Sequence, residues 1–404
     1  MNVQQNIEKQ KYLGKPGLIF FITLMNMFIP LSTDLYLPAL PTMSSYFQVS
    51  SALTNLTLVS FFFFFAVGTL FWGPISDKYG RKKVLLIGTT LYVLFSACCA
   101  LAPNVYVMIG ARVVQGIGAG AIIAVSMALI KVCFAGKQRE TILALVQSVG
   151  GLAPMIAPVL GGILLTFTSW RGAFVVLTAV GAVCLALSLL YQETLSDDER
   201  YEGTVVGSLG RLVAVGRNAG FIVPCLIFSL YNLAFMGYIA MSSYIYVDFF
   251  GLSEQVYSYY FAVNAALSMI GPMIYVRFLT GMNKKKFAYI CFIGYVICGA
   301  MLMLAGHRAP ILFWIGFAPF SLLGTISRPF STNIMLDQQS GDTGSASSLI
   351  NGVATIFGSL GMVCASMWSN IIFGLGFMIF AAGAVSIIGW SLLLHSSVPC
   401  RGVK

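Results

Sequence analysis

The stretch Gly73-Pro74-Ile75-Ser76-Asp77-Lys78-Tyr79-Gly80-Arg81-Lys82-Lys83 separates two apolar runs, about 52–72 and about 84–103. Each run is close to the roughly 20 apolar residues that a helix needs to cross the hydrocarbon core of a bilayer. Two such runs joined by a short basic connector read as a membrane hairpin with its turn on the cytoplasmic side. The same arrangement recurs along the chain. Of 404 residues, 58% are hydrophobic and 9% charged, and the mean hydropathy is +0.88. A soluble domain carries about 25% charged residues, so the outside of this protein needs a bilayer rather than water. Transmembrane strands would alternate over about ten residues; these runs are continuous. In lipid they must be helices, because a helix satisfies every backbone group within its own segment. The expected fold class is an all-α membrane protein.

Twelve spans are expected, at about 17–38, 52–72, 84–103, 105–131, 141–168, 172–192, 219–243, 255–278, 286–306, 310–332, 343–368 and 371–395. Lys and Arg concentrate in alternate connectors: Lys78, Arg81, Lys82 and Lys83, then Lys137 and Arg139, then Arg200, Arg211 and Arg217, then Lys284, Lys285 and Lys286. The opposite set of connectors holds only Arg171 and Arg308. This asymmetry predicts that both termini are cytoplasmic. The longest connector, 193–218, divides the spans six and six, giving an N-terminal bundle at 1–192, a cytoplasmic linker at 193–218 and a C-terminal bundle at 219–404. Gly73-Pro74 and Gly271-Pro272 each precede a basic loop, and Gly150 and Gly352 open glycine-rich spans, which suggests a repeat. Two parallel six-helix halves would place a substrate site near the midplane, at their interface.

The net charge of +10 is accounted for by the cytoplasmic loops, so nucleic acid is not an expected partner. The nine cysteines lie mostly in apolar runs without metal or redox spacing, and read as small buried hydrophobes. Lys9, Lys11 and Lys15 precede the first apolar run as in a signal peptide, but that run is too long and no small-x-small site follows, so it reads as a retained helix. The two histidines, His307 and His395, lie at span ends, which leaves no catalytic cluster or metal site. No Walker loop is present to use ATP. The expectation is a protein that is not an enzyme and has no cofactor.

Four stretches carry more specific information. In the 73–83 loop, Gly80 allows a sharp turn, and Asp77 can cap a helix or pair with Arg81; Gly73, Asp77, Gly80, Arg81 and Lys82 are candidates for a cytoplasmic gate. In span four, Arg112-Val113-Val114-Gln115-Gly116 puts an arginine about seven residues, or roughly 10 Å, into the membrane. It should face a bundle interior and have a partner, unless it snorkels to the outer headgroups. Glycines 116, 118 and 120 allow close helix packing. In span one, Pro30-Leu31-Ser32-Thr33-Asp34-Leu35-Tyr36-Leu37-Pro38 contains a carboxylate at a depth similar to that of Arg112. Burial favours the neutral form of a carboxylate and a nearby arginine the charged one. Balanced between them, Asp34 can load and release a proton; the alternative is an acid capping the outer end of the span. In span five, Pro154, Pro158, Gly161 and Gly162 permit bending and close approach.

The first stretch resembles the G-x-x-x-D-x-x-G-R-[RK] loop of the major facilitator superfamily, and the second its R-x-x-Q-G motif. The fifth-span stretch resembles the G-P-x-x-G-G antiporter motif, with Ala157 in place of a glycine. Together with Trp170-Arg171, Glu193-Thr194-Leu195 and the proline-rich end of span one, they look like the bicyclomycin and chloramphenicol resistance subfamily of drug:proton antiporters. The resemblance implies the major facilitator fold, a latch between halves at the 73–83 loop, and a part for Arg112 in proton coupling. In the second half Tyr275 stands where the first has Asp77, so that copy looks degenerate.

The expected activity is export of amphipathic, drug-like small molecules in exchange for protons, by a monomer in the bacterial inner membrane. One inward proton gains roughly 2.3 kcal/mol at 100 mV and about 1.4 per pH unit, enough for a several-hundred-fold gradient of a neutral substrate. Asp34 and Arg112 are the coupling candidates. Asn26, Asp34, Tyr36, Gln115, Gln147, Tyr231, Asn232, Phe235, Tyr238, Asn264 and Asn351 are cavity candidates, since an amphipathic ligand needs aromatic walls and few polar anchors. Each of them has packing or interhelical hydrogen bonding as its alternative. Arg328, near the cytoplasmic end of span ten, reads as snorkelling. A metabolite importer or uniporter on the same fold, an intramembrane enzyme, and a non-transporting receptor or scaffold are the other readings.

Overall fold

A computed structural model of the chain describes residues 10–134, 136–195, 210, 214–338, 343–401 and 403. The regular elements among the described residues are all helices, with no strand. Among the described residues the structure has the helices α1 (Gly14–Asp34), α2 (Leu40–Phe47), α3 (Ser51–Tyr79), α4 (Arg81–Leu101), α5 (Val105–Cys133), α6 (Gly136–Leu165), α7 (Arg171–Leu190), α8 (Ala219–Ser243), α9 (Glu254–Ile274), α10 (Lys284–Ala305), α11 (Pro310–Leu336), α12 (Thr343–Ser366) and α13 (Ile371–His395). Eleven candidate spans among the described residues are long and apolar enough to cross a membrane; in α6 the described apolar part is Leu152–Leu165.

Local chemistry sets the helix starts. Ser50, Asn104, Asn218, Ser253, Asn283 and Asn370 each accept a backbone N–H in the first turn of the helix that follows, filling donors that a helix N-terminus leaves open. Leu94, Val175, Ile297, Ile388 and Leu392 are more than half exposed. In water such surface would aggregate; against lipid it costs nothing.

Three boundaries differ from expectation. The first span does not end at 38: a 3-10 turn (Leu37–Ala39) and α2 carry it to Phe47, because Pro38 and Pro41 lie in the first turns of these short helices, where a missing N–H costs nothing. Gly73-Pro74 does not end the second span. The helix runs through Pro74 to Tyr79, and the Ser76 hydroxyl donates to the Gly73 carbonyl at 2.7 Å. The α8 helix is extended past the expected end at 243 by a π-helical turn at Tyr244–Phe249, whereas α9, with its π-helical turn Tyr275–Leu279, ends close to the expected 278.

The chain forms two compact units, Met1–Ser208 and Leu209–Lys404. Most of the expected linker, 196–209 and 211–213, lies outside the described residues. Within the first unit α1 packs on α6, α3 and α4 on α5, and α4 on α7. Within the second, α8 packs on α12, α9 and α10 on α11, and α10 on α13. The helices pair in the same order in both. The crossing points confirm a repeat and correct its register. Gly68 of α3 lies against Ile117 and Gly120 of α5, and Gly271 of α9 lies against Thr325 and Ile326 of α11, while Gly73 has open space around it. Gly271 therefore matches Gly68, not Gly73. Counted from there, the counterpart of Asp77 is Thr280 rather than Tyr275.

Candidate functional site: a buried arginine beside a helix break

Arg112 is fully buried, not snorkelling. Its Nε donates to the Thr57 carbonyl of α3 at 3.0 Å. Nη1 donates to Gln115 Oε1 at 2.6 Å. Nη2 donates to the Ser32 carbonyl of α1 at 3.0 Å and to the Tyr36 hydroxyl at 3.5 Å. The guanidinium carbon lies 4.1 Å from the Phe61 ring centroid and 4.9 Å from that of Tyr36. The charge is thus held between oxygens and ring faces, the arrangement that makes a buried cation tolerable. The network continues: Gln115 Nε2 donates to Ser96 Oγ at 2.6 Å, and Ser32 Oγ and Tyr92 OH share a hydrogen bond at 2.6 Å. Four helices, α1, α3, α4 and α5, meet on one side chain and its neighbours. Gly116 and Gly120 let α5 approach α3, and Gly118 lets it approach α4.

Asp34 is the last residue of α1 and is 7% exposed. Its Oδ1 accepts from the Thr33 hydroxyl at 2.9 Å. No ion pair joins it to Arg112 among the described residues. The arginine instead holds a group on either side of Asp34, the Ser32 main-chain carbonyl and the Tyr36 side-chain hydroxyl. The break has a physical cause, because Pro38 cannot donate the N–H that would continue the ladder. It is also where α6 comes closest: a side chain on Gly161 would run into the Leu35 carbonyl. The α6 helix passes through Pro154 and Pro158 without ending, with Pro158, Gly161 and Gly162 buried and Pro154 half-buried.

The 73–83 region is a second polar cluster. One residue, Gly80, separates α3 from α4, at φ +105°, where a Cβ would lie 2.8 Å from Glu193 Oε2. That carboxylate accepts the Lys82 N–H at 2.9 Å and caps α4 from a distant part of the sequence. Its other oxygen accepts the N–H groups of Thr194 and Leu195. Arg81 pairs with Asp77 at 3.4 Å and donates to Thr194 Oγ1 at 3.3 Å, and the Lys82 ammonium donates to the Leu189 carbonyl.

A family model described as Major Facilitator Superfamily matches residues 19–362. The chain belongs to the major facilitator superfamily. Among curated relatives it is 29% identical to an uncharacterized MFS-type transporter, YdgK, of Bacillus subtilis, over 85% of this chain and 87% of that one. It is 26% identical to a bicyclomycin resistance protein homolog of Haemophilus influenzae, over 96% and 99%. It is 27% identical to the multidrug resistance protein MdtL of Klebsiella pneumoniae, over 92% and 93%. Among solved structures, a D-xylose-proton symporter aligns at TM-score 0.70 and 15% identity, covering 96% of this chain and 98% of that one. A peptide transporter aligns at 0.76 and 11%, covering 98% of each. The expected family and fold are borne out. This member of the superfamily is a multi-pass inner-membrane transporter of small molecules and not an enzyme.

The remaining candidates fall into groups. Tyr36 and Gln115 belong to the Arg112 network. Asn26 takes its alternative: its amide donates to Ser126 Oγ at 2.6 Å and to the Ile22 carbonyl, linking α1 to α5. Tyr231, Phe235 and Tyr238 share the aromatic face of α8, where Phe235 stacks on Tyr231 at 5.2 Å and Tyr238 on Phe317 at 3.7 Å. Tyr238 is buried with no partner for its hydroxyl. Asn264 Nδ2 donates to Ser321 Oγ at 3.4 Å, and its side-chain Oδ1 has no partner among the described residues. Asn232 is half-buried and Asn351 exposed; the Gln147 side chain lies outside the described residues. The sequence reading missed Ser32, Thr57, Tyr92 and Ser96 around Arg112. The one available signal was Tyr92 and Ser96, polar groups four apart in an apolar helix.

Proposed function

We propose that the protein exports small amphipathic compounds in exchange for protons, as a monomer with both termini cytoplasmic, by alternating access of its two six-helix halves. The observation carrying this reading is Asp34: a buried carboxylate without an ion pair, at the break of a membrane span, flanked by groups that Arg112 holds. A carboxylate so placed exchanges its proton when access changes side, and backbone movement at the break is the natural means. Arg112 acts through the Ser32–Tyr36 segment, so that loading Asp34 and shifting α1 become one event. The printed names of two relatives, a bicyclomycin resistance homolog and a multidrug resistance protein, support export of drugs. The Asp77–Arg81–Glu193 cluster serves as the cytoplasmic latch, and the cluster of Tyr231, Phe235 and Asn264 contributes to the substrate surface.

The test is substrate-induced proton movement in energised inverted vesicles, across amphenicols, bicyclomycin, lipophilic cations and small metabolites. A drug should dissipate the pH gradient with the parent and not with Asp34→Asn. Drug-induced proton movement that survives in Asp34→Asn removes Asp34 as carrier. Saturable uptake of one metabolite, with no drug response, replaces export by import.

A further inference from the structure

Arg328 is the one charged residue of α11. The α12 helix carries none, α9 and α10 carry theirs in the first turn, as Glu254 and Lys284 to Lys286, and Asp248 and Arg277 lie in the π-helical turns that end α8 and α9. A cation within a span marks a functional site by default. Snorkelling requires the lipid-facing side, which Ile311, Ile315 and Pro319 mark on α11 by their exposure. At 3.6 residues per turn, Arg328 falls roughly 140° around the helix from that stripe and about 20° from Ser321.

Arg328 therefore shares the inner face of Ser321 and Gly324. There the Tyr231 ring lies directly on the bare Gly324 backbone, and its hydroxyl donates to the Ser321 carbonyl at 3.3 Å. Arg328 emerges one turn further on, near enough to bear electrostatically on the Tyr231 phenol. Its side chain is exposed, and among the described residues its guanidinium makes no ion pair or hydrogen bond. From Tyr231 a row of rings leads away along α8: Phe235 stacks on it at 5.2 Å and 21°, and buried Phe317 backs Phe235 at 6.5 Å and 18°.

We propose that Arg328 reads a negatively charged group on the transported molecule while the half-buried Tyr231–Phe235 face, backed by buried Phe317, seats its aromatic part. This rests on the exporter reading above and narrows it to amphipathic aromatic anions as a preferred substrate class. A guanidinium presents a planar fork of donors that matches a carboxylate or sulfonate. An anion leaving as a proton enters moves two charges per cycle instead of one, so its export would follow membrane potential twice as steeply.

The test compares binding of 2-naphthalenesulfonate and its neutral isostere 2-naphthalenesulfonamide to the full chain in nanodiscs, by calorimetry. The sulfonate should bind about tenfold tighter to the parent, the size of one charge-assisted contact. Arg328→Gln should abolish that preference while leaving the sulfonamide within about twofold; Arg328→Lys should keep part of it. Lys285→Gln, on the exposed first turn of α10, should change neither. Equal binding of the two probes by the parent overturns the proposal. So does a preference that survives Arg328→Gln, or an equal loss of both probes in that variant. Preference retained with no proton exchange in vesicles would sink the exporter reading and leave the anion site standing; exchange without preference would do the reverse.

Discussion

Seven residues into α5 stands Arg112; seven residues into α11 stands Phe317. Three residues further, Gln115 corresponds to Phe320. In the first unit these positions hold a cation and an amide, bonded to three other helices. In the second they hold rings, with Phe317 stacked on Tyr238 and Phe320 5.1 Å from Tyr231. The scaffold around them is the same. Gly161 of α6 meets the Leu35 carbonyl, and Gly361 of α12 meets the Leu233 carbonyl. Counted from that crossing, Asp34 and Asn232 occupy equivalent places, one a carboxylate and the other its neutral amide. The comparison separates what packing demands, which both units share, from what chemistry demands, which they divide. The buried charged network sits in one unit and an aromatic surface in the other.

The largest expected effect comes from exchanging these fillings. Arg112→Leu would leave Gln115 Oε1 and the Ser32 carbonyl buried without the arginine donor, at about 1–3 kcal/mol each, while the Thr57 carbonyl keeps the Ser60 hydroxyl. The substitution should abolish transport and strongly lower the melting temperature in detergent. Phe317→Leu, at the matching site, should cost about 1 kcal/mol and leave proton movement intact. Similar losses in the two variants would remove the distinction between the units.

The crossings should behave alike in stability and differently in function. Gly161→Val and Gly361→Val each force two helices apart, costing about 1–3 kcal/mol, measured as shifts in thermal unfolding. Only Gly161→Val adjoins Asp34, so only it should also uncouple proton movement. Equal uncoupling by both would mean that the crossing acts through shape alone.

The smallest effect concerns the cap that the first unit borrows from its own distal segment. Glu193→Gln weakens the acceptor for the Lys82 N–H and should cost about 1 kcal/mol. Gly80→Ala should cost more, since it adds strain at positive φ to a collision with Glu193. Limited proteolysis at the 73–83 turn would read both, and an unchanged cleavage rate in Gly80→Ala would contradict the observed turn.

The twelve spans were legible because hydrophobic length is local and the bilayer sets it. Arg112 stood out for the same reason, since a cation in an apolar run must either face a bundle interior or snorkel to the headgroups. Its partners were not. Two of the four are main-chain carbonyls, Ser32 and Thr57, which every residue carries and no side-chain pattern announces. The expectation that Arg112 meets Asp34 through space rested on equal depth, and depth says nothing of direction around a helix. Arg328 shows the same gap from the other side. Its position near a span end suggested lipid headgroups, whereas the exposure pattern along α11 puts it on the inner face.

By itself, the sequence determined that this chain lies in a membrane, how often it crosses and which family it belongs to. Those properties follow from segment length, charge placement and short motifs, each contained within a few tens of residues. Tertiary structure alone decided that α6 closes on the break at Leu35, that Glu193 caps α4, and that the repeat aligns Gly68 rather than Gly73 with Gly271. Each depends on backbone atoms brought together from more than a hundred residues apart or from different helices. Backbone atoms are chemically identical along the chain, so only their positions can distinguish them.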